Sequence, residues 1–275
     1  MSAQGPARAM TAGQVRARKG AEPLVCLTAY DAPTAALLDP HCDVLLVGDS
    51  VGMVVHGLPS TVPVTLDMMV LHGQAVMRGA TTALVVVDLP FGTYEASPTQ
   101  AFATAARVLA ETGAGAVKIE SGAYAGETVR HLTERGVPVM AHVGLRPQAS
   151  LATGFKAKGR SRAEADAVLA EAEAADAAGA FAIVVEGVDE ALAELVTQAV
   201  AAPTIGIGAS PACDGQILVT PDMLGVFERT PKFVRAYAGL RGVIEDAAER
   251  YAADVRARRF PGPAETYRLK RDDRD

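Results

Sequence analysis

The sequence contains no tryptophan, and only 5% of its 275 residues are aromatic. Its three cysteines, Cys26, Cys42 and Cys213, are far apart and form no CxxC pair, so neither a disulfide framework nor a zinc knuckle is indicated. No apolar run approaches the roughly 20 residues that a membrane span requires. Residues 1–20 lack the apolar core of a secretory signal. We therefore expect a cytoplasmic protein with reduced thiols and no membrane partner.

A strong charge of either sign is also missing. The chain has 26 Lys and Arg against 32 Asp and Glu, which gives a formal net charge of −6 at pH 7. Nucleic-acid binding needs a clustered basic face, and this balance argues against one. Hydrophobic residues make up 49% of the chain, with aliphatic residues and alanine dominant, which is typical of an α/β protein with buried parallel strands.

Short apolar runs alternate with longer, alanine-rich amphipathic segments. The runs that predict strands are Leu24–Tyr30, Val44–Asp49, Ala83–Pro90, Ala116–Glu120, Val137–Val143, Phe181–Glu186, Thr204–Gly208 and a weaker eighth at Ile217–Val219. The segments that predict helices between them are Leu66–Arg78, Thr99–Thr112, Ala125–Arg135, Ala163–Ala178 and Glu190–Ala201, with a last one at Gly239–Arg258. This alternation indicates βαβ units and a parallel sheet covered on both faces.

Seven or eight such units in one domain favour an α/β fold of the (β/α)₈ TIM barrel type. A doubly wound open sheet stays an alternative, because the eighth strand is poorly defined. Gly113, Gly136 and Gly179 each follow a helical segment, at the position where a residue with positive φ commonly ends a helix. We predict a single barrel domain over residues 1–275, with an N-terminal segment at 1–22 and a C-terminal helix and tail at 239–275.

Ionisable residues lie at the C-terminal ends of five predicted strands. They are Asp49, Asp88, Lys118 with Glu120, His142 and Glu186. In a parallel barrel all these ends face one mouth, where barrel enzymes place their active sites. Individually, Asp49 or Asp88 could be a helix N-cap, Lys118 and Glu120 a simple ion pair, His142 a core residue and Glu186 a cap near Asp189. Their convergence favours a functional site.

The donor types in this set favour a hard metal ion. Asp49, Asp88 and Glu120 offer carboxylate oxygens, and this set of three lacks the His and Cys donors that zinc prefers. Mg²⁺ suits a few carboxylates, with waters and substrate oxygens completing the octahedron. A 2-oxo acid would chelate such an ion through its keto and carboxylate oxygens, and the ion would then favour enolate formation.

The chain resembles the ketopantoate hydroxymethyltransferase family over about Leu24 to Tyr237. The resemblance rests on LTAYDAPTA (Leu27–Ala35), LLVGDSVGMVVHG (Leu45–Gly57), STVPVTLD (Ser60–Asp67), VVDLPFGTYE (Val86–Glu95), VKIE (Val117–Glu120), GVPVMAHVGLRPQ (Gly136–Gln148), PTIGIGA (Pro203–Ala209) and CDGQILV (Cys213–Val219). This family belongs with the phosphoenolpyruvate mutase and isocitrate lyase barrels. The resemblance therefore supports the closed barrel.

The resemblance implies a role for each residue of the predicted mouth. Asp49 and Asp88 would ligate Mg²⁺ and bind substrate, and Glu120 would complete the metal site. Ser50, Lys118 and His142 would bind the 2-oxo acid. Glu186 would be the base that removes the C3 proton of 3-methyl-2-oxobutanoate. The carbon nucleophile would take its one-carbon unit from 5,10-methylenetetrahydrofolate, giving 2-dehydropantoate for pantothenate synthesis; the family resemblance also implies a homo-oligomer, often a decamer.

Some positions depart from the usual family pattern. Ser121 and Ser210 stand where the family has glycine, and Lys158 stands where it has glutamine within the segment 153–160. The C-terminal motif that carries a histidine in the family reads Ala264–Tyr267 here and has none. None of these changes removes a predicted metal ligand or the base. They bear first on folate recognition and on the choice of keto acid.

Three alternatives stay open at this point. The first is a 2-oxo acid lyase or hydrolase of the same superfamily; such lyases typically carry a catalytic cysteine on a mobile loop, and the long connection Leu145–Arg160 has no cysteine. The second is a paralogue that joins a 2-oxo acid to an aldehyde without folate. The third is a binding protein that kept the fold and lost the chemistry, which the intact ligands and base argue against.

Overall fold

Eight parallel strands form a closed barrel in the order β1 to β8, with β8 paired to β1, in a computed structural model that describes residues 9–153 and 157–267. The strands are β1 Leu24–Thr28, β2 Val44–Val47, β3 Leu84–Asp88, β4 Ala116–Glu120, β5 Val139–Gly144, β6 Ala182–Glu186, β7 Thr204–Ile207 and β8 Gly215–Leu218. The predicted closed barrel is confirmed. The open-sheet alternative is wrong, because β8 pairs with both β7 and β1.

Helices alternate with the strands along the chain, and the longer ones between β2 and β7 pack against the outside of the barrel. They are α1 Ala12–Arg16, α2 Ala32–Leu38, α3 Val51–Val54, α4 Leu66–Gly79, α5 Pro98–Thr112, α6 Ala125–Thr133, α7 Ser150–Thr153, α8 Arg162–Ala177, α9 Glu190–Ala199, α10 Thr220–Met223 and α11 Leu240–Arg256. Every helix predicted from the sequence is present. Gly113, Gly136 and Gly179 have φ of 77°, 81° and 91°, as expected for glycines that end helices.

The helices that the sequence did not predict are short. Helix α2 has seven residues and α1 has five, so neither is long enough to show a clear 3.6-residue period. Their caps are nevertheless regular. The Asp31 side chain accepts a hydrogen bond from the backbone of Thr34, and Thr11 forms a capping box with Gln14.

Each strand places alternate side chains on its two faces. On β2, Val44 and Leu46 belong to the apolar cluster inside the barrel, whereas Leu45 and Val47 belong to the larger cluster between strands and helices. This double burial explains why the strand sequences are continuous apolar runs.

Helix α1 packs against the N-terminal end of the barrel. Val15 is fully buried in the inner cluster. Arg16 Nη2 lies 3.2 Å from Asp176 Oδ1, and Lys19 Nζ donates to Asp214 Oδ2 at 2.9 Å. This end of the barrel is therefore filled and tied by ion pairs, and the opposite end holds the ionisable residues.

The chain divides into two compact units, Met1–Thr220 and Pro221–Asp275. The first contains the whole barrel, and the second contains α11. The extent of a single domain over residues 1–275 stays a prediction. Within the described ranges 9–153 and 157–267, no helix has both the length and the apolar content needed to cross a membrane.

Candidate active site

Strand register brings the predicted site residues to one end of the barrel. Asp88 is paired with Lys118, and Glu120 with His142, on neighbouring strands. Glu186, the last residue of β6, is paired with Gly144 at the end of β5. On each strand these side chains share the inward face with apolar residues that come earlier in the strand. Because the strands are parallel, their C-terminal ends bring these side chains together in one mouth.

Asp49, Asp88 and Lys118 form a tight buried cluster. The backbone nitrogen of Asp49 donates to Asp88 Oδ2 at 3.0 Å, and Lys118 Nζ donates to Asp88 Oδ1 at 2.6 Å. Burial and the nearby Asp88 raise the pKa of Asp49 to about 7. Burial alone would lower the pKa of Lys118, but Asp88, Asp49 and Glu120 outweigh it and hold the pKa above its usual value. Lys118 therefore stays protonated among these carboxylates.

The simpler interpretations of these residues are wrong. Helix α3 follows Asp49, but its N-cap is Ser50 and it has no side-chain cap. The helix after Asp88 is capped by Ser97, and the helix after Glu186 by Asp189. Lys118 pairs with Asp88 on the neighbouring strand instead of forming a simple pair with Glu120.

His142 lies between two carboxylates. Its Nε2 is 3.3 Å from Glu186 Oε2, and its Nδ1 is 3.9 Å from Glu120 Oε1. Both nitrogens are buried, and neither makes a hydrogen bond with acceptable geometry to the described residues. Burial lowers the pKa of His142, against the opposing effect of Glu186. A buried imidazole with unused donor and acceptor capacity in a mouth of this kind is suited to contacting a bound ligand.

Glu120 and Glu186 occupy different environments. Burial and the Asp49 carboxylate raise the pKa of Glu120 well above its usual value. The Glu186 side chain is 18% exposed, so it reaches the opening of the mouth. The Glu120 carboxylate is therefore buried inside the barrel, and the Glu186 carboxylate is partly exposed at its mouth.

The Ser50 side chain contacts Tyr30, an aromatic residue that follows β1 in the chain. Its Oγ lies 2.8 Å from Tyr30 Oη, so the hydroxyl of the predicted substrate-binding serine has a fixed neighbour. Tyr30 is buried. The structure thus adds Tyr30 to the surroundings of the site.

Two further residues of the site were missed by the sequence analysis, Tyr94 and Gln148. Tyr94 Oη donates to Gln148 Oε1 at 2.6 Å, and Gln148 Nε2 donates to Asp49 Oδ2 at 2.9 Å. Both side chains are buried. The available signal was their position: each lies in the connection that follows a strand with a site residue, β3 and β5.

The carboxylates of the mouth fit a hard divalent cation. Burial and, after it, the neighbouring carboxylates raise the pKa of Asp49 and of Glu120, and Lys118 opposes the rise in both. A cation would offset it, and oxygen donors are the type that Mg²⁺ prefers. In the described part of the chain, no three side chains of His, Cys, Asp or Glu are close enough to surround one ion directly. The assignment of Asp49, Asp88 and Glu120 as Mg²⁺ ligands stays a prediction.

The positions that depart from the family pattern lie in several settings. Ser121 is buried; its backbone nitrogen donates to His142 O at 2.7 Å, and its carbonyl accepts from Arg146 Nη1 at 2.8 Å. Ser210 Oγ donates to Glu194 Oε1 at 3.3 Å. Lys158 forms an isolated parallel bridge with Val188. Residues 154–156 of the same connection lie outside the described residues, and Glu265–Tyr267 belong to the second unit.

Comparison with known proteins gives a consistent result. The family model described as "Ketopantoate hydroxymethyltransferase" matches residues 9–263. The chain is 66% identical over 272 residues to a 3-methyl-2-oxobutanoate hydroxymethyltransferase of Hyphomonas neptunium, covering 98% of this chain and 99% of that one. It is 65% identical over 265 residues to the protein of the same name from Caulobacter vibrioides, covering 96% of each.

Solved structures with the same fold have little sequence in common with this chain. A phosphoenolpyruvate phosphomutase from Streptomyces platensis subsp. rosaceus matches with a TM-score of 0.60 at 14% identity, covering 90% of this chain and 88% of that one. A 2,3-dimethylmalate lyase, from the PEP mutase/isocitrate lyase superfamily, matches with a TM-score of 0.58 at 18% identity, covering 92% and 90%. These likenesses support the barrel alone.

Proposed function

Because the chain belongs to the ketopantoate hydroxymethyltransferase family of transferases, we propose that it transfers a hydroxymethyl group to 3-methyl-2-oxobutanoate, giving 2-dehydropantoate. The one-carbon donor is 5,10-methylenetetrahydrofolate, which leaves as tetrahydrofolate. The observation that carries this proposal is the composition of the mouth. A buried cluster of Asp49, Asp88 and Lys118 lies in the same opening as the partly exposed Glu186 carboxylate.

Asp49 and Asp88 would hold Mg²⁺, with Glu120 acting through a water molecule. This ion would polarise the keto oxygen of the substrate and lower the free energy of the enolate. Lys118 adds a second positive charge next to Asp88, at a distance of 2.6 Å, and so favours negative charge on the substrate in the same place. Ser50 and His142 would contact the carboxylate or keto oxygens of the 2-oxo acid.

Glu186 would act as the base. Its partial exposure lets it reach a substrate bound over the buried cluster, and His142 Nε2 lies 3.3 Å from its Oε2. Removal of the C3 proton leaves an electron pair that forms the new bond to the methylene carbon of the folate. Both carbon–nitrogen bonds of the donor methylene group break and water supplies the hydroxyl group. The C3 proton and the second proton of water go to the two nitrogens of tetrahydrofolate.

The enolising half-reaction can be measured without folate. We expect Mg²⁺-dependent exchange of the C3 proton of 3-methyl-2-oxobutanoate for deuterium, followed by NMR in D₂O, and expect EDTA to abolish it. Adding 5,10-methylenetetrahydrofolate should then give 2-dehydropantoate. The variant Asp88→Ala should weaken the binding of both metal and keto acid, because it removes a metal ligand and the partner of Lys118.

The outcomes separate the proposal from its rivals. Exchange that is unaffected by EDTA would contradict the metal-assisted enolate. Exchange followed by product formation from formaldehyde alone, with none from the folate donor, would indicate the folate-independent aldol chemistry. A protein that binds the keto acid and catalyses neither step would be a binding protein.

The assembly and the location are part of the same proposal. We infer a homo-oligomer, with a decamer as the state that the family resemblance implies, in the cytoplasm. Support for self-association comes from α11, which has no buried residue and has exposed Val243, Ile244 and Tyr251.

A further inference from the structure

Gln148 is a buried residue that makes hydrogen bonds to several groups of the predicted metal site. Its Nε2 donates to Asp49 Oδ2 at 2.9 Å and to the carbonyl oxygen of Leu89 at 3.0 Å. Its Oε1 accepts from Tyr94 Oη at 2.6 Å. Its backbone nitrogen donates to Glu120 Oε2 at 3.1 Å. One buried residue therefore contacts two of the three carboxylates that would serve the ion.

The hydrogen bonds fix the orientation of the Gln148 amide. Tyr94 Oη accepts from the backbone nitrogen of Glu120 at 3.2 Å, so its own proton is directed to Gln148 Oε1. The two protons of the amide then go to a carboxylate and a carbonyl, both of which can only accept. A flipped amide would place its oxygen against Asp49 Oδ2, and two acceptors would repel each other.

We propose that Gln148 is a positioning residue that holds Asp49 and Glu120 in the orientation needed to bind the divalent cation. It occupies Asp49 Oδ2, so Oδ1 is the oxygen that stays available to the ion. This inference rests on the proposed function and deepens it by assigning the residue that orders its metal ligands. Gln148 acts through these carboxylates and does not itself touch the ion or the substrate.

Gln148 also links the connection that follows β5 to the mouth of the barrel. It lies on a single 3₁₀ turn, Pro147–Ala149, that follows β5, and this turn begins the long connection up to Arg160. The start of that connection is therefore held to the mouth through the same hydrogen bonds that order Asp49. Partners of metal ligands commonly contribute about 10–100-fold to metal affinity or activity.

The test compares variants of Gln148 with a glutamine elsewhere. Gln148→Glu keeps the size and loses the two donated hydrogen bonds, and Gln148→Leu removes the polar group. Gln74→Leu is the matched control, because Gln74 Nε2 donates to a backbone carbonyl, that of Glu111, on the outside of the barrel. Mg²⁺ affinity is measured by titration calorimetry on full-length protein freed of metal with EDTA.

We expect Mg²⁺ to bind about 10–100-fold more weakly to both Gln148 variants and unchanged to the control. Raising the Mg²⁺ concentration should restore most of the kcat for the keto acid, because the defect lies in metal affinity. Tyr94→Phe removes the hydroxyl that directs the amide and should give a smaller loss in the same direction. If the Gln148 variants do not fold, Tyr94→Phe carries the test.

The failures of the two proposals are distinguishable. A wild-type protein that binds no Mg²⁺ would contradict the proposed metal site itself. A wild-type protein that binds Mg²⁺, with Gln148 variants of equal affinity, would overturn the role of Gln148 and leave the proposed function intact. Weak binding whose lost activity is not recovered at high Mg²⁺ would also overturn it.

Discussion

Glu186 is the carboxylate of the mouth whose replacement should separate chemistry from binding. Glu186→Gln keeps the size of the side chain and removes its ability to accept a proton. We expect C3 proton exchange to fall by about 10²–10⁴-fold, the usual contribution of a general base, while the dissociation constant of 3-methyl-2-oxobutanoate changes little. NMR exchange and calorimetry measure the two quantities.

The matched control for this variant is Glu190→Gln, at an exposed position in the first turn of α9. It should exchange the proton like the wild type. Unchanged exchange in Glu186→Gln would remove Glu186 from the role of base, and loss of keto-acid binding in that variant would mean that it holds the substrate instead.

Asp39 is a buried carboxylate with a structural role. It accepts hydrogen bonds from the backbone nitrogens of Thr81, Thr82 and Ala83 at 2.8–3.1 Å. Burial opposes its ionisation, but these hydrogen bonds outweigh burial and lower the pKa of Asp39 from 3.8 to about 2. The Asp39 carboxylate therefore links the turn that precedes β2 to the residues that directly precede β3.

The lowered pKa of Asp39 predicts how its contribution to stability depends on pH. The contribution is fully present above about pH 4, where the group is ionised in both states, and it is lost as the pH falls toward 2. Its size is about 2 kcal/mol, since one pKa unit corresponds to about 1.4 kcal/mol. Urea unfolding should show Asp39→Asn destabilised by about this amount at pH 7, with the difference shrinking in acid.

Asp166→Asn provides the comparison for Asp39, because the Asp166 side chain is 61% exposed on α8. Its free energy of unfolding should stay within about 0.5 kcal/mol of the wild type, as is usual for surface substitutions. A constant difference between Asp39→Asn and wild type from pH 7 to pH 2 would contradict the assigned pKa.

At the scale of elements, α1 contributes to the stability of the barrel although it has only five residues. Its Val15 is fully buried in the inner cluster. We expect Val15→Ala to lower the free energy of unfolding by about 2 kcal/mol, from lost burial and the cavity left behind. Val25→Ala on β1, where the side chain is 49% exposed, should cost much less. An equal loss in the free energy of unfolding for the two variants would mean that the packing of α1 contributes little to the stability of the barrel.

The elements that the sequence predicted well are the continuous apolar strands and the helices long enough to show a 3.6-residue period. All eight strands were predicted, because each is an apolar run bounded by polar residues. The eighth was weak in the sequence, and its pairing with β7 and β1 in the structure established it as a strand. Helices α1 and α2 are short and were not predicted, since a single turn or two carries too little periodicity. Their positions depend on capping and on packing against the barrel.

At the scale of the whole molecule, the second unit presents an apolar stripe. Val243, Tyr251 and Val255 recur at multiples of four along α11, so they share one face of the helix. We expect light scattering after gel filtration to give a mass several times that of the 28.4 kDa chain. Val243→Glu combined with Tyr251→Glu should reduce it, because charges would replace apolar contacts between copies.

Glu249→Lys is the control for this experiment, because helical spacing places residue 249 on the side of α11 opposite the stripe. It should leave the mass unchanged. A wild-type protein that elutes as a single 28.4 kDa chain would contradict the proposed oligomer.

The sequence by itself determined a covered parallel sheet, favoured its closure into a barrel, and identified the residues of the mouth; the pairing of β8 with β7 and β1 decided the closure. Strands that are apolar on both faces require a covered parallel sheet, and a parallel sheet brings all strand ends to one side. Asp49, Asp88, Lys118, Glu120, His142 and Glu186 could therefore be assembled from their positions in the chain alone. Local pattern and chain direction were sufficient for this much.

Only the tertiary structure decided which of these groups contact one another and what holds them. Lys118 pairs with Asp88, 30 residues away, and Gln148 reaches Asp49 across 99 residues. Such contacts depend on strand register, on the path of each connection and on side-chain conformation, and none of these leaves a periodic signal in the sequence. The chain shows which residues enter the mouth, and three-dimensional packing sets their partners.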